Sequence, residues 1–190
     1  KRQKLEQEIH LARQIQKTFL PDSLPTLPGW QIQIRWETAL QVGGDFYDII
    51  TLPNNRVGLV IADVADKGLA ASLYMTVSRT LIRAFGQTIA DPGGVLTAVN
   101  NLLVGDTPSG MFVTAMFAIL DIETGKLIFS NAGHNRPIVI RSETTETEEL
   151  TQGDMALGVM EDIQYRNMEI SLEPEDMILF YTDGLTELFS

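Results

Sequence analysis

The chain has no cysteine among its 190 residues, so disulfides, thiolate nucleophiles and Cys-ligated zinc are all excluded. Histidine is nearly absent, with only His10 and His134. Basic residues are few: 14 Lys and Arg stand against 25 Asp and Glu, a formal net charge of -11. They form no clustered stripe, which argues against a nucleic-acid partner, because affinity there rests on neutralising phosphates. Apolar runs such as Met111 to Leu120 stop well short of about 18 residues, so no membrane segment is expected. These absences leave a cytoplasmic protein acting on a protein partner or a small substrate. A hydrophobic content of 44% suffices for one sizeable core, burying roughly 70% of the unfolded surface.

Residues 1–20 carry Leu5, Ile9, Ala12, Ile15 and Phe19 at three- and four-residue intervals, a narrow apolar stripe that predicts a helix ended by Pro21. Such a stripe suits either a coiled-coil seam, hence a homodimer through residues 1–20, or a helix docked on its own domain. Residues 1–22 are expected to be a linker or regulatory helix, and residues 23–190 the main domain. The alternation in Trp30-Gln-Ile-Gln-Ile-Arg-Trp36 predicts a strand. Residues 42–52 and 56–63 predict a hairpin around Pro53-Asn54-Asn55. Leu69, Leu73, Val77, Leu81 and Ala84 mark an amphipathic helix, and Asp91-Pro92 opens a second one. Strands follow at 111–121, 126–132, 137–141, 165–172 and 176–182, with 142–149 as a solvated hairpin tip. Strand runs broken by a helix pair predict an α+β sandwich of mainly antiparallel sheets flanked by helices.

Two of these strands run straight into an aspartate and a turn: Val57-Gly-Leu-Val-Ile-Ala-Asp63 and Met177-Ile-Leu-Phe-Tyr-Thr-Asp183. A carboxylate at the end of a buried strand needs a cation or hydrogen bonds to offset its charge, and two built alike invite a shared ion. A third acid comes from Gly43-Gly44-Asp45-Phe46-Tyr47-Asp48. Strand alternation sends Asp45 and Asp48 to opposite faces, and the glycines beside Asp45 favour it for the site. Three aspartates with almost no histidine select Mg²⁺ or Mn²⁺. Two such ions would activate water and neutralise a phosphoryl group, the chemistry of phosphate-ester hydrolysis. The helix that begins after Asp63 would point its positive end at an anion. Lys67 at that turn is either a phosphate contact or a solvated surface lysine. His134, in Asn131-Ala-Gly-His134, reads as a turn residue whose imidazole satisfies backbone groups.

At these motifs the chain resembles the bacterial serine phosphatases of the RsbU and SpoIIE type, a branch of the metal-dependent PPM (type 2C) protein phosphatases. The matching blocks run in family order: Ile15-Gln16 through Leu20-Pro21, Val42 to Asp48, Ile61 to Gly68, Phe112-Val-Thr-Ala115, Asn131 to His134, Leu157-Gly-Val159 and Tyr181 to Glu187. The resemblance implies a PPM-type α-β-β-α sandwich and a cleft holding two Mn²⁺ or Mg²⁺ ions. It implies that Asp63 bridges the ions, that Val64 ligates through its carbonyl, that Asp183 binds the second ion, and that Asp45 ligates directly or through water. Lys67 and Gly68 would lie at the phosphate. The implied substrate is the phosphoserine or phosphothreonine of an anti-sigma-factor antagonist, with an upstream sensor in the same chain acting through the linker helix.

Two departures stand out. Ala65-Asp66 occupies the place where many relatives have Ser-Gly, and the acidic pair that completes the family's second metal position is expected beyond Ser190, which makes the chain a fragment. The alternative to an active phosphatase is therefore a catalytically incomplete binding or signalling module regulated through the N-terminal helix. Gly43-Gly44-Asp45-Phe46 is also similar to the Gly-Gly-Asp/Glu-Glu-Phe signature of diguanylate cyclases, but it lacks the second acid, and that reading leaves Asp63 and Asp183 unexplained.

Overall fold

The computed structural model describes residues 2–38, 42–106, 110–144, 146–151 and 153–186. Helix α1 (Arg2–Phe19) precedes a hairpin of β1 (Phe46–Leu52) and β2 (Arg56–Val64). Helices α2 (Leu69–Gly86) and α3 (Pro92–Asp106) follow, then β3 (Val113–Asp121), β4 (Lys126–Ala132), β5 (Ile138–Ile140), β6 (Thr147–Glu149), β7 (Met168–Ser171) and β8 (Met177–Leu179). A short 3-10 turn, Asp183–Leu185, comes after β8. Among the described residues the strands pair antiparallel within both sheets, one five-stranded of order β1-β2-β3-β4-β7 and one three-stranded of order β6-β5-β8.

Strand β3 shows why the molecule is layered. Its alternate residues Val113, Ala115, Phe117 and Ile119 join the core under α2 and α3, while Met116, Ala118 and Leu120 join a second core shared with Val139 and Ile178 of the smaller sheet. A strand apolar on both faces must be covered on both, and here helices cover one face and a sheet the other. This is the α+β sandwich expected of the PPM fold.

The β1/β2 hairpin forms as expected, its loop carrying Asn54 and Asn55 at φ 60 and 53, a left-handed conformation that Asn tolerates better than most residues. Helix α3 is capped by Asp91, whose carboxylate accepts the Gly94 N–H at 2.8 Å.

Three expectations need correction. Residues 30–36 are not a strand. Their two tryptophans pin an irregular segment instead, the Trp30 indole N–H donating to the Ile122 carbonyl at 2.9 Å and the Trp36 indole N–H to the Asp45 carbonyl at 3.1 Å. Trp30 packs on the inter-sheet core and Trp36 on the helical one, so the apparent period of two reflects anchoring and not pleating.

The apolar stripe of α2 also faces outward: Leu69, Leu73 and Val77 are about half exposed, and Ala71, Ser72, Met75, Ser78 and Ile82 are buried. Small and hydroxyl residues serve as a buried face because Ser72 and Ser78 donate back to carbonyls in their own helix, at 2.8 Å each. An ion pair adds to that face: Asp48, 1% exposed, meets Arg79 at 3.0 Å and Arg83 at 2.8 Å.

In α1, Ile15 on the predicted stripe is exposed, whereas Gln16 is buried. Gln16 exchanges two hydrogen bonds with the Gly43 backbone, donating from Nε2 at 2.6 Å and accepting at Oε1 at 3.2 Å. Among the described residues no helix is long and apolar enough to cross a membrane.

Candidate metal centre

Antiparallel pairing brings the start of β1, the end of β2, the start of β3 and the end of β4 to one edge of the large sheet. Phe46 lies opposite Ala62, Asp63 opposite Thr114, and Met116 opposite Asn131. Ala62 and Val64 face the helical core, so alternation turns Asp63 toward the smaller sheet. Asp45, one residue before the helix-facing Phe46, turns the same way. The segment leaving β8 arrives there as well: Thr182 Oγ1 donates to Asp45 Oδ2 at 2.8 Å. Asp183 then opens the 3-10 turn.

The site is acidic, and its carboxyls crowd together. Asp63 is half-buried and its carboxyl is pushed up to about 8, first by burial, then by a hydrogen bond with Asp45 and by the charges of Asp45 and Asp183, with Lys67 opposing. Two carboxylates in hydrogen-bond contact need either a shared proton or a cation between them. Gly44 shows how closely the oxygens of the cradle approach the backbone. A Cβ there would come within 2.8 Å of the Val64 carbonyl oxygen and 3.2 Å of Asp63 Oδ1, and one on Gly184 would lie 4.0 Å from Asp45 Oδ2.

The donors gathered here are carboxylate and carbonyl oxygens, which suit hard divalent cations such as Mg²⁺ and Mn²⁺. Asp45, Asp63 and the Val64 carbonyl form the tight part, and Asp183 flanks it from an exposed position. Among the described residues no three acidic or imidazole side chains already enclose one point, so the fit is that of a carboxylate pair with a backbone carbonyl.

The remaining candidates lie around this pair. Lys67 is exposed, with its charge reaching Asp63. Gly68 precedes α2 at φ 83, and its carbonyl accepts the Ser72 N–H at 3.1 Å. Asp66 stands at φ 91, a backbone that favours glycine, with its Oδ1 accepting the Lys67 N–H at 2.7 Å. This accounts for the Ser-Gly departure in backbone terms. Asp48 points away from the acids into its arginine pair, and His10 is exposed on α1. The expected acidic pair beyond Ser190 lies outside the described residues.

Thr182 and Thr114 were not singled out by sequence reasoning, and His134 was read there as a turn residue only. The Thr114 hydroxyl donates to the Asp63 carbonyl at 3.4 Å and lies 2.9 Å from His134 Nδ1. All three sit inside the motif blocks, next to strand-end aspartates or at a Gly-containing turn, and that adjacency was the available signal. Asn131 satisfies the backbone of the turn at His134, while the imidazole reaches the backbone of Tyr181.

The chain is similar to known proteins in sequence and in fold. Residues 53–189 match the family described as Stage II sporulation protein E (SpoIIE). Protein IcfG of Synechocystis sp. is 33% identical over 209 residues, covering 95% of this chain and 32% of that protein. The phosphoserine phosphatase RsbU of Bacillus subtilis is 26% identical over 185 residues, covering 97% of this chain and 55% of that protein. The chain thus spans between about a third and a little over half of these relatives. Among solved structures, the SiaA-PP2C domain of Pseudomonas aeruginosa superposes with a TM-score of 0.79 at 24% identity, over 96% of this chain and 73% of that one. The motif order, the two-sheet fold and the family match over residues 53–189 together establish that the chain belongs to the SpoIIE family of bacterial RsbU/SpoIIE-type PPM serine phosphatase domains.

Proposed function

We propose that this chain is the catalytic domain of a metal-dependent protein serine/threonine phosphatase, holding two Mn²⁺ or Mg²⁺ ions on Asp45, Asp63, the Val64 carbonyl and Asp183. The observation that carries this reading is the Asp45–Asp63 carboxylate contact beside a backbone carbonyl, at the one place where the large sheet meets the exit of β8. When bound, the ions supply charge neutralisation at the phosphoryl oxygens and make water more acidic. The chain's part is to hold and orient. Thr182 fixes one Asp45 oxygen, the β2/β3 pairing fixes Asp63, and Lys67, Gly68 and the N-terminal end of α2 favour the phosphate anion. In the overall reaction a water oxygen bonds to phosphorus as the P–O ester bond breaks, releasing serine or threonine and inorganic phosphate.

The substrate we infer is a phosphorylated anti-sigma-factor antagonist, following the likeness to RsbU, in the cytoplasm. Residues 1–22 act as the regulatory helix for a sensor upstream in the full protein. Gln16 supports this, because its two bonds to Gly43 end two residues before Asp45. Gln16→Ala is expected to change the turnover number several-fold; an unchanged turnover number would detach α1 from the site.

The main test is hydrolysis of a phosphoserine protein with Mn²⁺ or Mg²⁺. Chelator should abolish it, and Asp63→Ala should lower the rate by at least about 10²-fold, the scale for losing a preorganised electrostatic group. A full rate in chelator would refute this mechanism. One observation favours the alternative of a non-catalytic signalling module: among the described residues no third carboxylate closes around the pair. Partner binding without phosphate release in the presence of Mn²⁺ would select that alternative.

A further inference from the structure

The turn after β4 delivers a histidine to the junction of the two sheets, next to the acidic cluster. Asn131 builds that turn by itself: its Oδ1 accepts the His134 N–H at 2.7 Å and its Nδ2 donates to the His134 carbonyl at 3.1 Å. Gly133 takes φ 69, and a Cβ there would press on the Ala156 backbone nitrogen at 3.1 Å. The imidazole is therefore free of any duty to its own turn, yet it is driven inward until the residue is only 6% exposed.

On one side, Nδ1 lies 2.9 Å from the Thr114 hydroxyl, which reaches the Asp63 carbonyl. On the other, the ring meets the backbone of Tyr181, two residues before Asp183, and feels the charge of Asp45. Burial holds the ring's pKa down to about 4, so it is neutral at pH 7. Its buried Nε2 makes no regular hydrogen bond among the described residues, the Tyr181 backbone being the group the ring approaches. A buried polar atom without a regular hydrogen bond is costly, and such groups call for an explanation in what they adjoin.

We propose that His134 is a positioning residue that spans from the Asp63 strand to the Tyr181–Asp183 segment, and so sets the separation of the two aspartates across which the divalent ions are held. The proposal rests on the metal-centre reading above. The two sheets contribute one side of the site each, and His134 is a buried polar strut between them; Thr114 couples it to Asp63. Partners that orient metal ligands typically change metal affinity by about 10–100-fold when mutated.

The test uses the full chain and Mn²⁺ titrated calorimetrically without substrate, alongside thermal melting in chelator and the turnover number as a function of Mn²⁺. His134→Leu is expected to remain folded, to bind Mn²⁺ at least 10-fold more weakly, and to regain most of its rate at saturating Mn²⁺. His134→Asn, which keeps a polar atom near the Nδ1 position, should retain more affinity than His134→Leu. If His134→Leu does not fold, Thr114→Val should show the same loss in smaller degree. Wild-type Mn²⁺ affinity in whichever variant folds overturns the proposal. So does a rate loss that saturating Mn²⁺ leaves untouched at unchanged affinity. Asp63→Ala separates the two levels: if it binds Mn²⁺ like the wild type, the metal-centre reading falls and the proposal with it, whereas a normal His134→Leu beside a dead Asp63→Ala removes only the strut.

Discussion

Asp63 and Asp183 end segments that look alike in sequence and stand in different surroundings. Asp63 lies inside β2, an interior strand of the five-stranded sheet, paired with Thr114 of β3 and just past the last β1 pairing, and is half-buried against Asp45. Asp183 is exposed, four residues beyond the last of β8, a three-residue strand at the edge of the smaller sheet. A carboxylate on a central strand cannot move away from its neighbours, so its repulsion is built into the fold. One on a turn after an edge strand can relax into solvent. Under the proposed metal-centre reading, the first acid is set to demand a cation and the second to adjust to one.

The sharpest way to break this contrast is to neutralise each acid in turn. Asp63→Asn is expected to abolish Mn²⁺-dependent phosphatase activity at every Mn²⁺ concentration, whereas Asp183→Asn should lose rate and recover part of it as Mn²⁺ is raised. In chelator the order of stability should reverse, Asp63→Asn melting above the wild type because a buried acid no longer opposes Asp45 and Asp183. Asp183→Asn should melt close to the wild type. Equal and unrecoverable losses in both variants, with no gain in melting temperature, would mean that the two sites are equivalent after all.

The sequence shows the shared motif but not the difference, because strand periodicity reports which residues alternate and says nothing about how many strands lie on either side. Where periodicity coincides with burial on both faces, as in β3, element and environment are both legible. Where small residues do the packing, as on α2, the apolar stripe of Leu69, Leu73 and Val77 points to the wrong face. Anchoring tryptophans likewise imitate a strand at 30–36. The acids of the candidate site stand out because carboxylates at strand ends need compensation. Thr114 and Thr182 escape notice, and His134 reads as a turn residue, because a hydroxyl or a neutral imidazole declares its role only once its partner is in place.

A second prediction concerns what holds the edge region at all. Asp176, just before β8, accepts hydrogen bonds from Arg141 at 2.8 Å, the Ser142 N–H at 2.9 Å and the Glu173 N–H at 3.1 Å. Those bonds, the Ser142 N–H foremost and the Arg141 guanidinium next, hold its carboxyl down at about 2. A depressed folded pKa means stability that is present above the unfolded value near 3.9 and lost as pH falls toward 2. Asp176→Asn should therefore lower the melting temperature at pH 7 by roughly 2–4 °C, the shift for about 1 kcal/mol in a chain of this size. The gap to the wild type should narrow as pH drops below 4. A gap that stays constant from pH 7 to pH 3 would show that the charge of Asp176 contributes nothing to this anchor.

The smallest effect separates the two turns that follow the aspartates. Asp66 sits at φ 91, where any side chain is strained, while Gly184 lies in a 3-10 turn with no such backbone and with room for a Cβ at 3.7 Å from Thr182 Oγ1. Comparing glycine with alanine at each position cancels the Asp66 hydrogen bond to Lys67 and isolates the backbone. At an ordinary position alanine is favoured by about 0.4–1 kcal/mol, because it restricts the unfolded chain. Gly184→Ala should show that gain in urea denaturation of the metal-free chain. At position 66 the order should invert, with Asp66→Gly more stable than Asp66→Ala by about 1 kcal/mol. If alanine wins at both positions, the turn after Asp63 is as relaxed as the turn after Asp183, and the rigidity assigned to the first aspartate stops at the end of β2.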